Sequence, residues 1–169
     1  MKTPAAPVLL PADLLAMMDK GVSAIVASRD AAMRPSIMRA VGTRIDAQGR
    51  EITVYVARSQ SRQLVQDISS NGCVAVVFSQ PATHRSVQLK AGDARIRAAT
   101  VADEPVLQRY LRSMEQEIAL VGHAPALTRA MLAHRLDDVV AITFAPQQAY
   151  DQTPGPRAGQ AMPSQESST

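Results

Sequence analysis

Ser61 and Arg62 stand where a helix-forming stretch follows an apolar strand, in the junction Ala57-Arg58-Ser59-Gln60-Ser61-Arg62-Gln63. The first turn of a helix leaves backbone N–H groups without intrahelical partners. A hydroxyl and a guanidinium in the same small volume make that arrangement suited to a phosphate monoester. The residue types therefore point to a phosphorylated cofactor. Alone, a serine cap followed by an exposed arginine is the commoner role for such a pair, so the reading depends on the elements around it.

Other chemistry finds less support. The single cysteine, Cys73, opens the apolar run Cys73-Val74-Ala75-Val76-Val77-Phe78, which is the setting of a structural thiol. His84 begins a strand, His123 follows Gly122 and His134 lies late in a helix, so no pair has metal-ligand spacing and no metal is expected. There is no Gly-x-Ser-x-Gly turn, no Walker loop and no Gly-x-Gly-x-x-Gly. Hydrolase, nucleoside triphosphatase and Rossmann readings fall away with them.

The elements that must position Ser61 and Arg62 can be read in order. Pro11 to Lys20 has the grammar of a short helix closed by Gly21. Residues 22–28 read as a strand, 29–35 as its turn, and 36–45 as a second strand entered through Pro35. A hairpin at 46–50 leads to 51–57, where Ile52, Val54 and Val56 alternate with Thr53 and Tyr55. Leu64, Val65 and Ile68 give residues 60–70 one buried helical face before Asn71-Gly72 ends it.

Strands are expected at 73–79 and 84–97, with Gly92 marking a bend in the second. Asp103-Glu104-Pro105 opens a helix with the stripe Leu107, Tyr110, Leu111, Met114, Ile118 and Val121; Pro125 opens another. A last strand covers 138–144. From Gln152 the composition turns to proline, glycine and a Ser/Thr end, which predicts a partly disordered tail at 151–169 after a single domain at 1–150.

Hairpin-linked strands with helices between them predict a mainly β, α+β protein: a six-stranded antiparallel split β-barrel with peripheral helices. The 169 residues suffice for one domain with a real core, and 18 basic against 15 acidic residues give a net charge of +3 without a basic run. That balance favours small anionic ligands and not nucleic acid. Three Tyr and two Phe offer few stacking platforms for an oligonucleotide. Pro4, Pro7 and Pro11 interrupt a weak apolar N-terminus, arguing against a signal peptide or a membrane span, and the expected compartment is the cytoplasm.

With these residues in this order, the chain resembles the FMN-binding split-barrel family typified by pyridoxamine 5'-phosphate oxidase. The resemblance covers about Gly21 to Ala94, the final strand and the segment Tyr150 to Pro156. It implies that Arg39 and Arg44, spaced as the family's basic pair, bind the FMN phosphate together with Ser61, Arg62 and Gln63. It also implies that Val56 and Ala57 flank the cofactor, and that Ser86 or Gln88, with Arg85 nearby, faces it. Gln63 stands where the family has lysine, which removes one positive charge and lowers phosphate affinity. A homodimer with the cofactor at its interface is implied as well.

The type enzymes carry tryptophan, arginine and histidine in a C-terminal strand, and this chain has no tryptophan. Vitamin B6 oxidation is therefore not expected. An FMN-dependent oxidoreductase with another small-molecule substrate is the first reading, since a flavin brings its own redox chemistry. A noncatalytic flavin- or haem-binding module, for storage or sensing, is the alternative.

Overall fold

The computed structural model describes residues 8–164. The N-terminal prolines Pro4 and Pro7 and the end of the tail at 165–169 lie outside the described residues. The element order is α1 (Ala12–Gly21), β1 (Ser23–Arg29), β2 (Pro35–Arg39), β3 (Gly42–Ile45), β4 (Ile52–Ala57), α2 (Arg62–Asn71), β5 (Val74–Ser79), β6 (Ser86–Ala91), β7 (Arg95–Ala98), α3 (Glu104–Leu120), α4 (Pro125–Met131), β8 (Val139–Phe144) and β9 (Gln148–Asp151).

The strands form two antiparallel sheets, ordered β2-β1-β5-β6-β9 and β3-β4-β8-β7. The expected mixed α+β barrel of antiparallel strands is present, but the six-stranded count is corrected to nine strands. Each of the two long strands read at 36–45 and 84–97 is two strands, one in each sheet. Their breaks, at Ala40-Val41 and around Gly92, are corners at which the chain leaves one ladder for the other. β9, which follows Pro146, has no counterpart among the strands that the sequence predicts; it pairs with β6, with Gln88 opposite Tyr150.

The inner faces of the sheets share one core that includes Val26, Val54, Val76, Phe78, Leu89, Ile142 and Phe144. β1 and β5 show the alternation that a half-buried strand requires. β4 is buried along its whole length because its outer face is covered too. There Leu107 of α3 joins Val41, Tyr55, Val139 and Ala141, and it lies so close to Gly42 that a Cβ would come within 2.6 Å of it.

A polar lock fixes α3 to that face. Asp103, buried just ahead of α3, accepts from the Tyr55 hydroxyl at 2.9 Å, from both Arg97 terminal nitrogens at 2.7 Å and from the Thr100 N–H at 2.9 Å. The Arg97 guanidinium holds the Asp103 carboxyl well below the usual carboxylate range, against the opposing effect of burial. Burial, aided by that carboxylate, pushes the Tyr55 phenol up. A second tie is Glu117 of α3, fully buried, which pairs with Lys20 of α1 and accepts from Gln80 Nε2 at 3.1 Å.

α2 fills one end of the barrel with Leu64 and Ile68 and stops, as its sequence predicts, at Gly72. Gly72 has φ +68°, and a Cβ there would lie 2.7 Å from the Gly92 carbonyl oxygen. Gly72→Ala is expected to cost about 2 kcal/mol, through left-handed backbone strain and a clash with main chain that cannot swing aside. A urea midpoint within error of the parent would contradict this.

Residues 152–164, read from composition as a tail, return beside β9. The Asp151 N–H donates to Gln160 O at 2.9 Å, and the Met162 N–H donates to Ala149 O at 2.8 Å. Among the described residues no helix is long and apolar enough to cross a membrane.

Candidate cofactor site

The mouth of α2 offers the donors that its sequence suggests, differently arranged. No side chain caps the helix, so the first-turn N–H groups of Arg62, Gln63 and Leu64 have no side-chain acceptor. Arg62 is exposed and makes no ion pair among the described residues. Ser61 is buried, and its hydroxyl donates back to the Ala57 carbonyl at 2.6 Å. It locks the strand-to-helix turn and does not point its proton outward.

Gln63 is also occupied. Its amide donates to Asp67 Oδ1 at 2.7 Å, while Asp67 Oδ2 accepts from Ser36 of β2 at 2.6 Å. The buried Asp67 thus ties α2 to the edge of the five-stranded sheet. Ahead of the helix, the Ser59 N–H and hydroxyl both donate to the Asp138 carboxylate, which fixes the junction to the start of β8. Val56 and Ala57 are buried at the end of β4, with Val56 in the main core.

A second group of candidate residues lies on the outer face of the five-stranded sheet. The registers place Arg39, Ile25, Val77, Gln88 and Tyr150 in one row across β2, β1, β5, β6 and β9. The adjacent row is Ser23, Ser79 and Ser86. Arg39 donates to Ser23 Oγ at 3.2 Å, and the Ser79 and Ser86 hydroxyls lie 2.8 Å apart. Arg39, Ser86 and Gln88 therefore share one platform, whose centre is apolar and whose rim is polar. Both Ser86 and Gln88 are on it, because i and i+2 of a strand share a face.

Ser23 and Ser79 were not singled out from the sequence. Their signal is positional: each is a serine at the end of an alternating apolar strand, in step with the outward positions. By register, the platform carries no carboxylate or histidine.

Arg44 is not brought to Arg39. It lies on the four-stranded sheet, exposed, in a row with Thr53, Thr143 and Arg95. The corner at Ala40-Val41 and the odd spacing separate the two arginines onto the outer faces of different sheets. Arg85 turns to α1, where it pairs with Asp13 at 2.6 Å and lowers the pKa of that carboxyl.

No family model matches the sequence, and no curated protein matches it. Solved structures do match in fold. An F420 reductase superposes with a TM-score of 0.57 at 15% identity, over 83% of this chain and 98% of that one. A pyridoxamine 5'-phosphate oxidase candidate from Lactobacillus delbrueckii gives 0.53 at 11% identity, over 89% and 97%. HupZ of Group A Streptococcus gives 0.53 at 13% identity, over 89% and 100%. With its two antiparallel sheets, corner strands and end-filling helix, the chain has the split-barrel fold of the pyridoxamine 5'-phosphate oxidase-like proteins.

Proposed function

We propose that the chain is an FMN-dependent oxidoreductase of the pyridoxamine 5'-phosphate oxidase-like kind, acting as a cytoplasmic homodimer on a small molecule other than a B6 vitamer. The observation that carries this is the uncapped first turn of α2 with Arg62 beside it, a ready anion site next to the β4 end. In this reading the FMN phosphate sits at that turn. Val56 and Ala57 support it from the strand, while Arg39, Ser86 and Gln88 supply the polar rim of the platform on which the ring rests. Gln63, tied to Asp67, contributes its backbone N–H.

A flavin carries electrons by its own ring chemistry, so the lack of an acid–base pair on the platform is compatible with catalysis. The same lack favours the second reading, a noncatalytic binding module. Ile37, 68% exposed on the platform edge, together with Ile25 and Val77, gives a second copy an apolar surface to cover.

The test is direct. The purified protein is expected to be yellow, to release FMN identified by mass, and to sediment as a dimer at micromolar concentration. A colourless protein that does not quench added FMN would refute the cofactor. Anaerobic reduction by reduced nicotinamide followed by reoxidation separates enzyme from module, and no turnover with any donor selects the module.

A further inference from the structure

Between α3 and the segment that carries the chain from α4 to β8 lies a recess of ≈ 200 Å³, lined by Glu104, Leu107, Gln108, Leu111, His134 and Leu136. One wall is a single stripe of α3, since Glu104, Gln108 and Leu111 stand at i, i+4 and i+7 of that helix, about 10 Å from end to end. Leu107, buried, and Leu136 belong to the apolar cluster around Tyr55 and give the recess an apolar base. The volume equals that of roughly seven waters in the liquid, which suits a ligand of one ring.

The polar groups on this lining are acceptors. His134, just past the end of α4, has Nδ1 at 2.9 Å from the Leu132 carbonyl, where only an N–H can bond. The neutral ring then carries its lone pair on Nε2. Glu104, exposed at the start of α3, makes no ion pair among the described residues. Gln108 adds an amide oxygen. No cation lines the recess, and the adjoining Arg135 is engaged by Asp137 at 2.6 Å. Three acceptors, one of them charged, over an apolar base match a primary ammonium, which has three N–H donors and one positive charge, on an apolar body.

We propose that this recess is a binding site for a small primary amine with an apolar ring or chain. Its ammonium bonds the Glu104 carboxylate, the Gln108 amide oxygen and His134 Nε2, and its body lies against Leu107, Leu111 and Leu136. The site shares no residue with the α2 mouth or with the outer face of the five-stranded sheet, so it stands whether or not the chain holds a flavin.

The experiment titrates the full chain with benzylamine at neutral pH, where the amine is protonated, and follows the histidine rings by two-dimensional NMR, with the His134 signal assigned by its loss in His134→Gln. Saturable shifts of the His134 ring are expected, with a dissociation constant of about 1 mM for so small a ligand, while His84 and His123 stay in place. Benzyl alcohol, the uncharged isostere, should bind about fivefold more weakly, and benzoate should not bind. Glu104→Gln, which keeps the shape of the side chain and removes its charge, should weaken benzylamine about fivefold or more, whereas Glu51→Gln, on the hairpin before β4, leaves it unchanged. Equal affinity in a folded Glu104→Gln protein overturns the proposal. So do benzoate binding as tightly as benzylamine, shifts confined to the other histidines, and the absence of a saturable response.

Discussion

Replacing Asp103 with alanine is expected to lower the unfolding free energy by about 3 kcal/mol, because it leaves a buried phenol without its acceptor. Arg97 is 45% exposed and returns to water at little cost, so its own ion pair adds a small share. The larger share comes from the Tyr55 hydroxyl, which lies in a fully buried residue and donates only to Asp103. The Thr100 N–H loses its acceptor as well. For a chain of this size the melting temperature should fall by about 6–12 °C. Urea unfolding followed by far-ultraviolet circular dichroism measures this, and a loss under 1 kcal/mol would show that the lock does not hold α3.

The same residue sets an acid limit. Its folded pKa is depressed below the ordinary carboxylate value of about 3.9. The unfolded chain therefore takes up the proton first as pH falls. The contribution of Asp103 is complete above that value and is lost as pH drops toward the folded pKa. Asp103→Asn should flatten the stability profile below about pH 4 and leave the slope near neutrality unaltered.

Arg62→Ala is expected to weaken FMN about ten- to hundredfold, the equivalent of about 1.5–3 kcal/mol for one charge-assisted contact to a dianion. Arg62 is the exposed guanidinium at an uncapped helix start, and no described carboxylate competes for it. Gln63→Ala should leave FMN binding near the parent value, because the amide it removes is engaged by Asp67. Arg44→Ala should behave likewise, since that side chain lies on the other sheet. Titration by flavin fluorescence quenching ranks the three. Undiminished affinity in Arg62→Ala would remove Arg62 from the site.

What the sequence made legible was local. The α2 segment, its Gly72 stop and the hairpin around Gly49 follow from periodicity and turn chemistry within a few residues. Gly92 marks its corner in the sequence as a bend, although the change of sheet there is not legible, whereas Ala40-Val41 carries no glycine or proline and leaves 36–45 looking like one strand. β9 was hidden by Pro146, which ends one strand without forbidding the next.

The site shows the same division. Ser61 and Arg62 were placed correctly at a helix start, yet the direction of the Ser61 hydroxyl depends on the Ala57 carbonyl four residues back. The Gln63–Asp67 bond was available from i,i+4 spacing. The Arg85–Asp13 pair joins positions 72 apart and had no local signal. The separation of Arg39 from Arg44 needed the sheet topology.

The Ser59–Asp138 clasp has a mechanical consequence. Asp138 is the point at which the chain, having travelled through α3 and α4, rejoins the barrel. The helical hairpin and the loop feeding α2 thus share a single rivet. The tie runs along the surface and not through the hydrophobic interior, so removing the Asp138 carboxylate would release both segments from each other at one point.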